Sequence, residues 1–62
     1  MKTESNIIDP DGFYAAWTAA HDGLGESEST DLDTRLVLLL ANQVGDMQVL
    51  LDCIAAARLG RD

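Results

Sequence analysis

Apolar side chains recur at steps of four and three along the second half of the chain, and this spacing places them on one face of an α-helix. The pattern keeps its phase from about residue 27 to residue 59, so a long helix is predicted there. A face with this repeat is typical of helices that pack together in bundles. The predicted oligomer core consists of Leu36, Leu40, Val44, Met47, Leu51 and Ile54.

A glycine followed by an aspartate lies in the middle of this predicted helix. Gly45 suits the end of a helix, and Asp46 suits the N-cap of a new one. The apolar pattern nevertheless crosses both residues without losing its phase, which favours one continuous helix. A three-helix domain with a break at Gly45 is the alternative.

A shorter helix is predicted from about residue 10 to residue 22. Asp9 followed by Pro10 is typical of a helix start, and Gly23 suits the left-handed position after a helix end. Residues 1–8 are predicted to be a flexible tail, and residues 9–62 a single helical domain. An aromatic stripe on this helix is expected to pack against a partner helix, and it is also the candidate ligand stripe: Tyr14, Trp17 and His21.

The two predicted helices differ greatly in length, at about 20 Å and about 50 Å. Because the first cannot cover the second, the predicted fold is an all-α helical hairpin that dimerises into a four-helix bundle. Polar residues beside the main face are predicted to fix the register of the bundle as a polar layer: Asn42, Gln43 and Asp46. A second, narrower apolar stripe is the candidate partner face: Leu38, Val49 and Ala56.

Charge narrows the classes of partner. Eleven acidic residues against four basic ones give a net charge of −7, and eight of the acids lie within residues 1–33. Nucleic acids and anionic membrane surfaces would be repelled. The longest apolar run, at residues 36–41, is far shorter than the ~20 residues that span a bilayer. We therefore expect a cytoplasmic protein that binds neither nucleic acid nor membrane.

Few residues offer chemistry. His21 is the one histidine, and its place near a helix end predicts that it caps carbonyl groups rather than acting as a base or metal ligand. Cys53 lies in an apolar helix and is expected to be a packed thiol. The sequence contains no phosphate-binding loop and no nucleophile motif. We therefore predict no enzyme activity, no cofactor and no metal.

Three stretches of the chain resemble the small bacterial family known as the domain of unknown function numbered 2783: FYAAWTAAHDGL, RLVLLLANQVGD and IAAAR. The matching positions are Tyr14, His21, Leu24, Asn42, Gly45 and Asp46. The resemblance implies no assigned activity, and it implies genes encoded beside flavin-dependent oxidoreductases and enzymes of aromatic-compound breakdown.

The predicted function rests on both the apolar pattern and this family resemblance. We expect a small helical accessory or protein-interaction module, with such an oxidoreductase as its partner besides a second copy of itself. The alternative is a small enzyme or ligand-binding protein that uses Tyr14, His21, Asn42 and Asp46.

Overall fold

The computed structural model describes residues 1–2, 4 and 6–60, and every regular element in these ranges is an α-helix. Helix α1 is Pro10–Ala19, α2 is Glu26–Val44 and α3 is Met47–Leu59. The all-α prediction is confirmed. The prediction of a hairpin with one continuous long helix is wrong, and the break at Gly45 follows the alternative. Residues 3 and 5 of the predicted tail, and residues 61–62 of the predicted domain, lie outside the described residues.

Helix α1 begins as the sequence predicts. The carboxylate of Asp9 accepts a hydrogen bond of 2.9 Å from the backbone N–H of Gly12, and Pro10 occupies the first helical position. The helix ends three residues earlier than predicted, because the N–H groups of His21 and Asp22 bond to carbonyls only three residues back. This tighter turn leads to Gly23, whose φ of 79° is the predicted left-handed conformation.

The break between α2 and α3 arises from two local features. Gly45 has a φ of 70°, and its N–H closes α2 on the carbonyl of Ala41. Asp46 is extended, and its carboxylate accepts from the N–H of Val49 at 3.2 Å, which caps α3. A left-handed glycine and a capping aspartate together satisfy backbone groups that a helix end leaves free. They outweigh the apolar periodicity.

The three helices do not enclose a core. None of the described residues is buried, and the accessible surface is 5465 Å². A folded monomer of this length exposes about 3,900 Å². The radius of gyration is 13.1 Å, whereas about 11 Å is typical of a compact domain of 62 residues. The single chain therefore forms neither a four-helix bundle nor a compact three-helix domain.

Contacts between the helices are few. Helix α2 comes into contact with α3, and α1 meets α2 through side chains around Trp17. On α3 the half-buried side chains are those of Val49 and Leu50, so the rest of the chain covers that side in part. None of the helices in the described ranges is long and apolar enough to cross a membrane.

Candidate functional site

A cluster of polar and aromatic groups joins α1 to α2. The indole N–H of Trp17 donates to Oδ1 of Asp33 at 3.1 Å, and Nε2 of His21 lies 2.7 Å from the same oxygen. Nδ1 of His21 lies 2.7 Å from the carbonyl oxygen of Trp17. Asp33 thus ties the end of α1 to the middle of α2.

The geometry favours the charged form of His21. Both ring nitrogens face oxygen atoms that accept, namely those of a carboxylate and a backbone carbonyl. Both hydrogen bonds form together only when both nitrogens carry a proton, as in the imidazolium. The hydrogen bond to Asp33, followed by the one to the Trp17 carbonyl, raises the pKa of His21 above its ordinary 6.5, while partial burial acts in the opposite direction. The side chain remains 23% exposed.

The predicted aromatic stripe is continuous along α1. The rings of Tyr14 and Trp17 lie 5.8 Å apart, and those of Trp17 and His21 lie 5.6 Å apart, in edge-to-face arrangements that aromatic rings prefer. Tyr14 is 63% exposed. The stripe forms one side of a junction between two helices, and its role as a ligand site stays a prediction.

Two apolar depressions lie on either side of Trp17. The larger, called here the α1–α2 groove, has a volume of about 370 Å³ and one charged lining residue, Arg35. Its other walls are Phe13, Ala16 and Trp17 on α1, Ala20 just after α1, and Leu32, Leu36 and Leu39 on α2. The smaller depression, of about 230 Å³, lies beside Asp33, Val37 and Leu40. Both are open and apolar, as expected where two helices meet without a third to cover them.

The predicted oligomer core is exposed in the single chain. Exposed fractions range from 47% to 69% for five of its members, and Leu36 is half-buried. The five are Leu40, Val44, Met47, Leu51 and Ile54. The chain itself does not cover them, and their burial in an oligomer stays a prediction.

The break at Gly45 divides the other predicted surfaces. Within the candidate partner face, Leu38 on α2 is 65% exposed, whereas Val49 on α3 is half-buried, so these residues do not form one stripe with Ala56. Within the predicted polar layer, Asn42 and Gln43 are exposed in the last turn of α2, and Asp46 is the N-cap of α3. The polar layer depended on a continuous helix, which the chain does not have.

Asp33 is the residue that sequence reasoning missed. The alternative enzyme or ligand site groups His21 with the carboxylate of Asp46, but His21 bonds to Asp33. One signal was available: two antiparallel helices joined by a turn around Gly23 bring Trp17 and His21 close to the first half of α2. The capping of a carbonyl by His21 was predicted, and the contact with Trp17 confirms it.

Other candidate chemistry is sparse. Cys53 is exposed rather than packed, because the broken helix has no core to receive it, so that prediction is wrong. Among residues 1–2, 4 and 6–60, no three His, Cys, Asp or Glu side chains come together in a group that could hold a metal ion.

The sequence of the chain matches a known protein family. The family described as "Protein of unknown function (DUF2783)" matches residues 1–59 of the 62-residue chain. The chain belongs to the DUF2783 family. The DUF2783 match takes in all three helices, the Trp17–His21–Asp33 cluster and the break at Gly45. No curated protein and no solved structure matches this DUF2783 protein.

Proposed function

We propose that this protein is a non-enzymatic helical interaction module that associates with itself and serves as an accessory to another protein. The observation that carries the proposal is the absence of any buried side chain among the described residues. Large apolar side chains on all three helices stay exposed, including Phe13 at 45%, Leu39 at 65% and Ile54 at 65%. Contiguous apolar surface of this kind is typical of sites that bind protein.

The accessible area supports self-association. The chain exposes 5465 Å², which exceeds the surface of a compact monomer of its length by about 1,600 Å². Small domains without a disulfide or a metal commonly gain their missing burial by oligomerisation. A dimer would supply it without any further component.

The state of the polar groups favours binding over catalysis. His21 has both ring nitrogens engaged within the chain, so neither is free to take a proton from a substrate. Asp46 uses its carboxylate to cap α3. Two of the four residues of the alternative enzyme or ligand site therefore already have structural bonds, and the other two, Tyr14 and Asn42, are exposed.

We further propose a flavin-dependent oxidoreductase as the partner, on the basis of the family resemblance. The acidic first half of the chain suits encounter with a basic surface, because opposite charges accelerate association. Leu38, at 65% exposure on α2, offers an apolar contact on a rigid helix. Rigid helical surfaces lose little conformational entropy when they bind.

Co-expression with a flavin-dependent oxidoreductase of the kind that the family resemblance implies, followed by affinity capture, tests the proposal. We expect the wild-type chain to co-purify and Leu38→Glu to co-purify several-fold less. Ser27→Glu, which adds the same charge at an exposed polar position in the first turn of α2, is the matched control and should behave as the wild type. If the enzyme is equally soluble and flavin-loaded alone, and no complex forms at tens of micromolar, the accessory role is excluded.

A further inference from the structure

We infer that the α1–α2 groove receives helix α3 of a second copy of this chain, and that the exchange is reciprocal. This inference rests on the proposed self-association and specifies which surfaces meet. The groove is an open apolar channel between two helices, and α3 has an apolar face that its own chain leaves uncovered. Each copy would therefore supply one groove and one helix.

The two surfaces match in length and chemistry. The groove walls run from Phe13 to Ala20 on α1 and from Leu32 to Leu39 on α2, which is about 10 Å, or two helical turns, on each side. The face of α3 formed by Met47, Leu51 and Ile54 also covers two turns, about 10 Å. Both surfaces are apolar, and the groove has the open third side that a helix needs in order to enter.

The face of α3 that would enter the groove is the exposed one. Met47 is 69%, Leu51 49% and Ile54 65% exposed, whereas the half-buried side chains of this helix are Val49 and Leu50. Val49 lies on the opposite side of the helix, whereas Leu50 lies about 40° from Ile54, at the edge of this face. Docking would therefore cover the exposed side of α3 and add to the partial burial of Leu50.

The distribution of charge indicates that α3 of the second copy, rather than its α1–α2 unit, occupies the groove. Residues 9–35, which make up α1, the turn and the first half of α2, carry seven acids against one base, Arg35, and one histidine, His21. Two such units placed face to face would repel each other. Helix α3 carries one acid, Asp52, and one base, Arg58, and Arg58 continues the apolar face one turn beyond Ile54. Helix α3 therefore has no net charge and would not be repelled by this acidic unit.

The area is sufficient for a stable dimer. Each chain exposes about 1,600 Å² more than a compact monomer of its length. The excess on two copies is about 3,200 Å² in total and includes the segment before α1, whereas a specific interface of standard size buries about 1,200–2,000 Å². Two reciprocal groove contacts around a two-fold axis provide a closed interface of this kind.

Disulfide trapping between two differently tagged chains tests the inference. Both chains carry Cys53→Ala; one also carries Ala16→Cys in the groove, and the other Ala55→Cys, one turn after Leu51 at the edge of the exposed face of α3. Because each chain has a single cysteine, any disulfide between the two tags joins two copies. A disulfide requires Cα atoms within about 7 Å. The matched control replaces Ala55→Cys with Ala56→Cys, which turns about 100° farther around the helix, away from this face.

We expect mild oxidation to join the Ala16→Cys and Ala55→Cys chains and to join the control pair several-fold less. If sedimentation shows a dimer but the two pairs cross-link equally or not at all, the groove assignment is overturned while self-association stands. If the unmodified protein sediments as a monomer at the same concentration, both self-association and this inference are overturned. Capture of the oxidoreductase then tests the accessory role separately.

Discussion

At the scale of single residues, the contact between His21 and Asp33 has the most definite chemistry. A histidine with a carbonyl on one nitrogen and a carboxylate on the other is stable in its fold only when it is charged. The same carboxylate oxygen also accepts from the indole of Trp17. Protonation of one ring therefore affects how α1 is held on α2.

We predict that the His21 imidazole titrates above 6.5, because Asp33 and the Trp17 carbonyl favour the charged ring. Following the ring protons by NMR as a function of pH gives this pKa directly. Asp33→Asn removes the carboxylate whose hydrogen bond contributes most to the raised pKa of His21, so this pKa should fall. The matched control is Asp31→Asn, which removes an exposed carboxylate two residues away and should leave the pKa near its wild-type value. An unchanged pKa in Asp33→Asn would contradict the assigned contact.

Stability should also depend on pH through His21. The folded state raises the pKa of His21, so this contribution is fully present below about pH 6.5 and is lost as the pH rises through the folded-state pKa. Urea midpoints measured by Trp17 fluorescence should therefore decrease across that interval. His21→Gln should remove the contribution of His21 to this decrease in the urea midpoint. If the midpoint of His21→Gln falls with pH as steeply as that of the wild type, another group causes the decrease.

At the scale of the helix, the break at Gly45 decides how the second half of the chain is arranged. A left-handed residue and an N-cap replace a continuous turn of helix. A β-carbon at Gly45 would meet its nearest atom, the carbonyl oxygen of Asn42, at an ordinary 3.9 Å. Space is therefore not the constraint at this position, and the backbone conformation is.

The change in stability caused by Gly45→Ala has opposite signs in a broken helix and in a continuous one. With φ at 70°, Gly45→Ala should destabilise the protein by roughly 1–2 kcal/mol, because a β-carbon is strained in the left-handed region. In a continuous helix the same change would stabilise by up to about 1 kcal/mol. Urea denaturation followed by circular dichroism measures the difference.

The N-cap provides an independent check on the same break. Asp46→Ala should destabilise by about 1 kcal/mol, because the N–H of Val49 loses its acceptor. Asp52→Ala, in the middle of α3, is the control without a capping role. If Asp46→Ala behaves as that control does, Asp46 is not a cap.

These elements also show what the sequence could predict. The start of α1 was predictable because Asp9 and Pro10 act locally, through a cap and a fixed φ. The break at Gly45 was recognised only as an alternative, since it leaves the apolar spacing in phase and periodicity cannot detect it. The pairing of His21 with Asp33 depends on how α1 crosses α2, and that crossing is set by tertiary contacts that no local pattern records.

At the scale of the whole molecule, the absence of a core links the fold to the proposed function. Membership of the DUF2783 family assigns no activity, so the exposed aliphatic surface is the main functional clue. Its members lie on both α2 and α3, on either side of the break. A partner that covers them must therefore contact two helices at once.

A charge placed in this surface should prevent association. We expect Leu40→Asp and Leu51→Asp to convert a dimer into a monomer in sedimentation equilibrium, because an unpaired charge in an apolar interface costs several kcal/mol. Ser27→Asp adds the same charge in the exposed first turn of α2, where the helix dipole tolerates it, and should remain dimeric. A wild-type monomer at tens of micromolar would contradict the prediction.

The lack of buried side chains in the part of the chain that the structure describes has a calorimetric consequence. The heat capacity of unfolding grows with the apolar area that becomes hydrated, at about 0.45 cal/K/mol per Å². An isolated chain whose aliphatic residues are already in water has little such area left to expose. Most of the heat-capacity change should then accompany the separation of two copies rather than the melting of one. The temperature of the transition would rise with protein concentration, and the stability of each copy would depend on how much of the protein the cell contains.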